Sequence, residues 1–104
     1  MLWHIVKFRF AEETTDEERT SLEHALAGLA DRIEQVRLLR VARSVDEADV
    51  SGLLSGFDDE AALATYRDHP EHLPVVARAR ELCEEITRLD IETDDPTDVL
   101  TRTG

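Results

Sequence analysis

The segment Tyr66-Arg67-Asp68-His69-Pro70-Glu71-His72 places a phenol and two imidazoles within seven residues, with a proline between the histidines. An imidazole changes charge near neutral pH and can accept a proton. A phenol can donate a hydrogen bond to negative charge as it develops. Together they suit acid–base chemistry on a carbonyl compound. His72 would remove a proton alpha to the carbonyl, and Tyr66 would hold the resulting enolate or alkoxide. Help of this kind is worth about 10²–10⁴-fold in rate, enough for a substrate that is already reactive. It calls for no metal and no redox cofactor. The same two residues also admit a packing role, with Tyr66 as a core aromatic and His72 bonded to backbone at a helix start.

Spacing decides whether the two groups can meet. Pro70 has no N–H and pushes His69 out of the α region. A helix is therefore expected to end near Arg67 or Asp68, and a new one to begin near Pro70. A corner of this kind can aim Tyr66 and His72 at one spot, which a straight helix at this spacing would not do.

The elements around the corner follow from periodicity. Leu2 to Phe10 alternates like a strand, with Leu2, His4, Val6, Phe8 and Phe10 on one face. His4 is the polar member of that face. Trp3, Ile5, Lys7 and Arg9 form the other. Thr15-Asp16-Glu17-Glu18 is a capping box. It opens an amphipathic helix whose stripe is Leu22, Ala25, Leu26, Leu29, Ala30 and Ile33. Residues 36–45 read as a second strand. Asp46-Glu47-Ala48-Asp49 is too short for a crossover helix, so Val50 to Phe57 should return antiparallel. Glycines 52 and 56 in that strand mark a bulge or a close approach. Asp58 or Asp59 caps a helix with Ala62, Leu63 and Tyr66 inward. A third helix is expected to run to about Glu84, with Leu73, Val76, Ala77, Arg80 and Cys83 sharing a face. Residues 87–93 are a last strand, with Leu89 and Ile91 expected inward.

This order is the split βαββαβ pattern of a ferredoxin-like α+β domain, a four-stranded antiparallel sheet with helices on one face. Residues 1–93 form the expected domain and 94–104 a polar tail. The uncovered sheet face would still carry Trp3 and Ile5. Two such faces packed together in a homodimer would bury it.

Composition narrows the function classes. The chain has 104 residues and a net charge of −12. One domain is expected. The acidic balance argues against a nucleic-acid backbone and against anionic lipid as partner. A single cysteine, Cys83, rules out an internal disulfide. With no apolar run of membrane-spanning length and no leader-like opening, a cytoplasmic location is expected.

Several stretches jointly resemble the stress-responsive A/B barrel (Dabb) domain. They are His4-Ile5-Val6-x-Phe8-x-Phe10, Val36-Arg37, Phe57-Asp58 leading into Ala61-Leu63-Tyr66, and His69-Pro70-Glu71-His72 followed by Val75-Val76. The resemblance implies a dimeric α+β barrel, with a pocket in each subunit between its sheet and its helices. It implies a small cytosolic protein, in some plant members stress-linked. One plant branch closes linear polyketones by intramolecular aldol condensation. Its acid–base pair corresponds to Tyr66 and His72, and its first-strand pocket histidine to His4. A further pocket histidine on the third strand is replaced here by Ser51.

The expected ligand contacts are His4, Val6 and Phe8 from the first strand, Ser51 and Leu53 from the third, and Leu73 beyond the corner. The ligand would be a small apolar, aromatic or polyketide-like molecule. The alternative is a non-catalytic, stress-responsive oligomer whose interior is only packing. His69 reads as a turn residue and His24 as solvent-facing. His69-x-x-His72 straddles a proline, so the pair does not share a helix face as zinc-binding histidines do, and no metal is expected. Cys83 reads as an inert thiol.

Overall fold

A computed structural model describes residues 1–93. The polar tail expected from Asp94 onward lies outside the described residues. The elements are β1 (Leu2–Phe10), α1 (Asp16–Ala27), α2 (Leu29–Arg32), β2 (Leu38–Arg43), β3 (Val50–Phe57), α3 (Glu60–Asp68), α4 (Leu73–Leu82) and β4 (Cys83–Glu92). The four strands form one antiparallel sheet in the order β2-β3-β1-β4. This is the ferredoxin-like α+β fold, with β1 and β3 central.

The capping box at the start of α1 is formed. The Thr15 hydroxyl accepts from the Glu18 N–H at 3.1 Å, and the Glu18 carboxylate accepts from the Thr15 N–H at 2.9 Å. The long helix expected beyond it comes in two pieces, broken at Gly28. Glycine is a poor helix former, and the Asp31 N–H bonds back to the Gly28 carbonyl at 3.2 Å, a tighter i→i+3 turn. Leu22, Leu26, Leu29 and Ile33 are nevertheless all buried, so the apolar stripe runs through the break. They pack on the inner face of the sheet, where Leu2, Val6, Phe8 and Phe10 are buried as the alternation predicts.

Asp59, not Asp58, caps α3; its side chain accepts from the Ala62 N–H at 2.9 Å. Asp58 instead pairs with Arg37 at 2.7 Å. Residues 70–72 make a turn, and α4 begins at Leu73, three residues later than expected. Pro74 then falls in the first turn, where its missing N–H leaves no bond unmade.

Two expectations about faces are corrected. On α4 the buried residues are Val75, Ala79 and Leu82, whereas Leu73 is exposed. The Leu73–Val76–Arg80–Cys83 face borders a cavity instead of the core. On β4, Leu89 and Ile91 lie on the open side of the sheet. The register pairs His4 with Asp90, Ile5 with Leu89 and Trp3 with Ile91, and cross-strand partners share a face. Ile86, Arg88 and Asp90 therefore face the helices. The strand also starts at Cys83, earlier than expected, because it pairs with β1 along that strand's whole length. A bulge near Arg9 and Phe10 takes up the extra residue.

The open face is apolar across three strands. Ile5 lies between Leu54 on β3 and Leu89 on β4, and Trp3 beside Ile91. Gly56 makes room for Trp3; a Cβ there would stand 3.2 Å from the indole ring.

Candidate functional site

The corner at Pro70 does what its sequence implies. His69 ends α3 in an extended conformation (φ −65°, ψ 135°), as a residue before proline must. Its Nδ1 accepts from the Glu71 N–H at 3.0 Å and its carbonyl accepts from the His72 N–H at 2.9 Å. His69 therefore serves the turn. The turn brings His72 back against the end of α3, with its ring centroid 4.2 Å from that of Tyr66 and the planes tilted by 40°. This is a stacked contact between the two residues singled out for chemistry.

A hydrogen bond sets the His72 tautomer. Its Nδ1 lies 3.0 Å from the Arg67 carbonyl, which can only accept. Nδ1 therefore carries the proton, and Nε2 keeps its lone pair. His72 titrates below the usual imidazole value of 6.5, because burial disfavours the cation. The bond to the Arg67 carbonyl opposes the shift, and the neighbouring His4 and His69 imidazoles add to it by disfavouring a further positive charge beside them. Neutral His72 is thus the resident form at pH 7. The unfolded chain takes this proton before the folded one does. The contribution to stability is therefore present above pH 6.5 and is lost as pH falls through the depressed folded value. An NMR titration should find the His72 midpoint below 6.5; a midpoint at or above that value would contradict the burial argument.

Tyr66 is buried at 1% exposure, in an aromatic cluster with Phe57 at 5.0 Å and His4 at 6.2 Å. Burial pushes its phenol up to about 12. It is therefore a protonated donor at neutral pH, and among the described residues its hydroxyl has no protein partner. His4, also buried, bonds through Nδ1 to Asp90 on β4. Ser55 donates to the His4 carbonyl at 3.0 Å and secures that point of β1. Asp90 accepts in turn from Arg67 at 3.0 Å. Burial would raise the Asp90 carboxyl, but the His4 bond and the charges of His4, Arg67 and Arg88 hold it below the ordinary range.

These groups border a cavity of about 770 Å³ between the sheet and the helices. His4, Val6, Phe8, Leu53, Tyr66, His72 and Leu73 all line it. The fold does not bring Ser51 to it. That side chain is 1% exposed and is held in a separate network, accepting from Arg19 at 3.0 Å and donating to Glu23 at 2.8 Å. Burial would raise the Glu23 carboxyl, but Arg43, Ser51 and Arg19 keep it low. Cys83 lines the cavity with a thiol that burial raises to about 11, so it is not a thiolate at neutral pH.

Two residues of the site were not singled out from sequence. An alternation that puts Leu89 and Ile91 inward puts Asp90 outward, whereas its register with His4 turns it toward the helices. Counting its parity from His4 along an antiparallel pair would have found it. Arg67, within the corner segment itself, carries no signal that it would tie α3 to β4.

The sequence pattern of the stress responsive A/B barrel domain matches residues 2–93. The chain belongs to that family. Solved structures agree with a ferredoxin-like fold. A dimeric ferredoxin-like protein of unknown function from Bacteroides fragilis NCTC 9343 is 26% identical, with a TM-score of 0.77 over 88% of this chain and 95% of that one. A dimeric ferredoxin-like protein of unknown function from Jannaschia sp. CCS1 is also 26% identical, with a TM-score of 0.77 over 88% and 98%. A hydroxynitrile lyase from Passiflora edulis is 15% identical, with a TM-score of 0.80 over 91% and 96%, and shows the fold alone. No curated protein matches the sequence. No helix among the described residues of this A/B barrel chain is long and apolar enough to cross a membrane.

Proposed function

We propose that this chain is a cytoplasmic homodimer in which each subunit binds a small apolar, aromatic or polyketide-like molecule and catalyses its acid–base cyclisation or isomerisation. The observation that carries this reading is the pairing at the cavity wall of a neutral imidazole, its Nδ1 already committed, with a protonated phenol that has no protein partner. In an aldol closure, His72 Nε2 takes the proton alpha to a carbonyl. The Tyr66 hydroxyl donates a hydrogen bond to the enolate oxygen. The enolate carbon attacks a second carbonyl, whose π bond opens to an alkoxide. That alkoxide takes the proton back from His72, after which loss of water and enolisation give the phenolic ring. Both roles need a site from which water is largely excluded, where a single hydrogen bond to developing charge counts for most. His4, held by Asp90, is a third polar group at the same wall.

The test is direct. The protein is mixed with a linear poly-β-ketone, and ring closure is followed by the absorbance of the phenolic product, while NMR follows the His4, Tyr66 and His72 rings. Product formation with shifts at those rings supports the reading. Ring shifts without product would leave a binding protein, and neither would leave a non-catalytic, stress-responsive oligomer.

The dimer rests on the apolar open face, with Leu89 55% and Ile91 42% exposed beside Trp3 and Ile5. The dimeric neighbours support the same assembly. Replacing Ile5 and Leu89 together by glutamate would place like charges on both facing sheets. Sedimentation should then find a monomer where the parent chain is a dimer, and an unchanged mass would refute this interface.

A further inference from the structure

The cavity's polar rim points to a more specific ligand. The chain is strongly acidic, at −12, and most of its described cations are held by carboxylates. Arg9, Arg37, Arg43 and Arg78 each lie within 3.2 Å of a carboxylate oxygen. Arg80 and Arg88 are different. Neither has an ion-pair or hydrogen-bond partner among the described residues, and both line the cavity, one from α4 and the other from β4. Arg88 shares the sheet face of Val6 and Asp90. Arg67, which also lines the cavity, is tied to Asp90 through Nη2, but its Nε is fully buried and has no partner among the described residues.

Three carboxylates also border the space. Glu85 pairs across the sheet with Arg9 and reaches it at 3.7 Å on the open face. Glu84 also lines a second hollow beside Arg19. Asp68 stands at the end of α3. None of the three, nor Asp90 two positions along the face of Arg88, lies within 4.0 Å of Arg80 or Arg88. Neither guanidinium is therefore in a close ion pair among the described residues, although the charge of Arg88 acts on Asp90 at longer range.

We infer that the ligand carries a carboxylate, and that Arg80 and Arg88 receive it while its apolar body lies against Val6, Phe8, Leu26 and Leu53. A guanidinium presents a planar fork of donors that matches a carboxylate. This deepens the proposed function and rests on it only in needing the cavity to bind a ligand; it requires no turnover.

Naphthalene-2-carboxylate and naphthalene-2-carboxamide have nearly the same shape and differ in charge. Calorimetric titration of the full chain with each is expected to show the carboxylate bound about 10–100-fold more tightly, the range for hydrogen bonds to a charged group. In the Arg80→Gln/Arg88→Gln protein that preference should fall to within about threefold, with the carboxamide affinity unchanged. Arg37→Gln, which removes an exposed pair with Asp58 away from the cavity, should keep it. Thermal unfolding of the variants should match the parent, since both arginines are exposed. Equal affinity for the two probes in the parent chain would overturn the inference and leave the cavity as a binding site. Retention of the preference in the double variant would overturn the assignment to these arginines. Binding of neither probe would overturn this inference together with the reading of the cavity as a ligand site.

Discussion

Replacing His72 by glutamine is expected to slow ring closure by about 10²–10⁴-fold, the usual share of a positioned general base. The substitution is chosen so that chemistry and packing separate. A glutamine amide can still donate to the Arg67 carbonyl, which His72 Nδ1 approaches at 3.0 Å, so the corner keeps its bond. It has no lone pair of comparable basicity to replace Nε2. The denaturation midpoint should stay within about 0.5–1 kcal/mol of the parent, as for a half-buried residue whose hydrogen bond is preserved. A loss of rate that follows a loss of fold would assign His72 to packing, and an unchanged rate would remove it from the mechanism. The pH profile gives a second check. Because burial depresses the His72 value below 6.5, the acid limb of kcat/KM should fall below that pH in the parent and vanish in the variant.

Phe57→Ala should be the most damaging single change outside the chemistry, costing about 3–5 kcal/mol, as truncating a buried aromatic does. Phe57 has 0% exposure at the end of β3, with its ring 5.0 Å from Tyr66 and 6.5 Å from His4. The lost ring would leave a void behind the two groups that the site needs held still. A domain of this size has roughly 5–15 kcal/mol in total, so the variant would be marginal at best. Urea denaturation should show the midpoint fall at an unchanged slope. Phe57→Leu, which refills most of the void, should recover much of the loss. If Phe57→Ala cost under about 1 kcal/mol, the aromatic cluster could not be what fixes the position of Tyr66.

How much of this was legible beforehand can be judged from particular residues. The inner face of β1 was readable because a strand repeats every second residue and one face was almost wholly apolar. The capping box before α1 needed only four adjacent residues. The corner at Pro70 was readable because proline restricts its predecessor whatever surrounds it. The faces of α4 and β4 were not. Leu73, Val76 and Cys83 look like core by spacing, yet they border a cavity that the same apolar residues wall equally well. Leu89 and Ile91 look inward by hydrophobicity, yet they belong to an open sheet face that is itself apolar.

From its residues alone, then, this chain settled its local chemistry: where β1 alternates, where α1 starts, and where α3 must end against a proline ring. Those outcomes depend on neighbours within a few positions. Tertiary structure decided which long-range partners meet. The His4–Asp90–Arg67 chain joins residues 86 and 23 positions apart, and Ser51 was drawn to Arg19 instead of the cavity. Such pairings are set by sheet register and by competition among buried polar groups for partners, and neither leaves a periodic trace in the sequence.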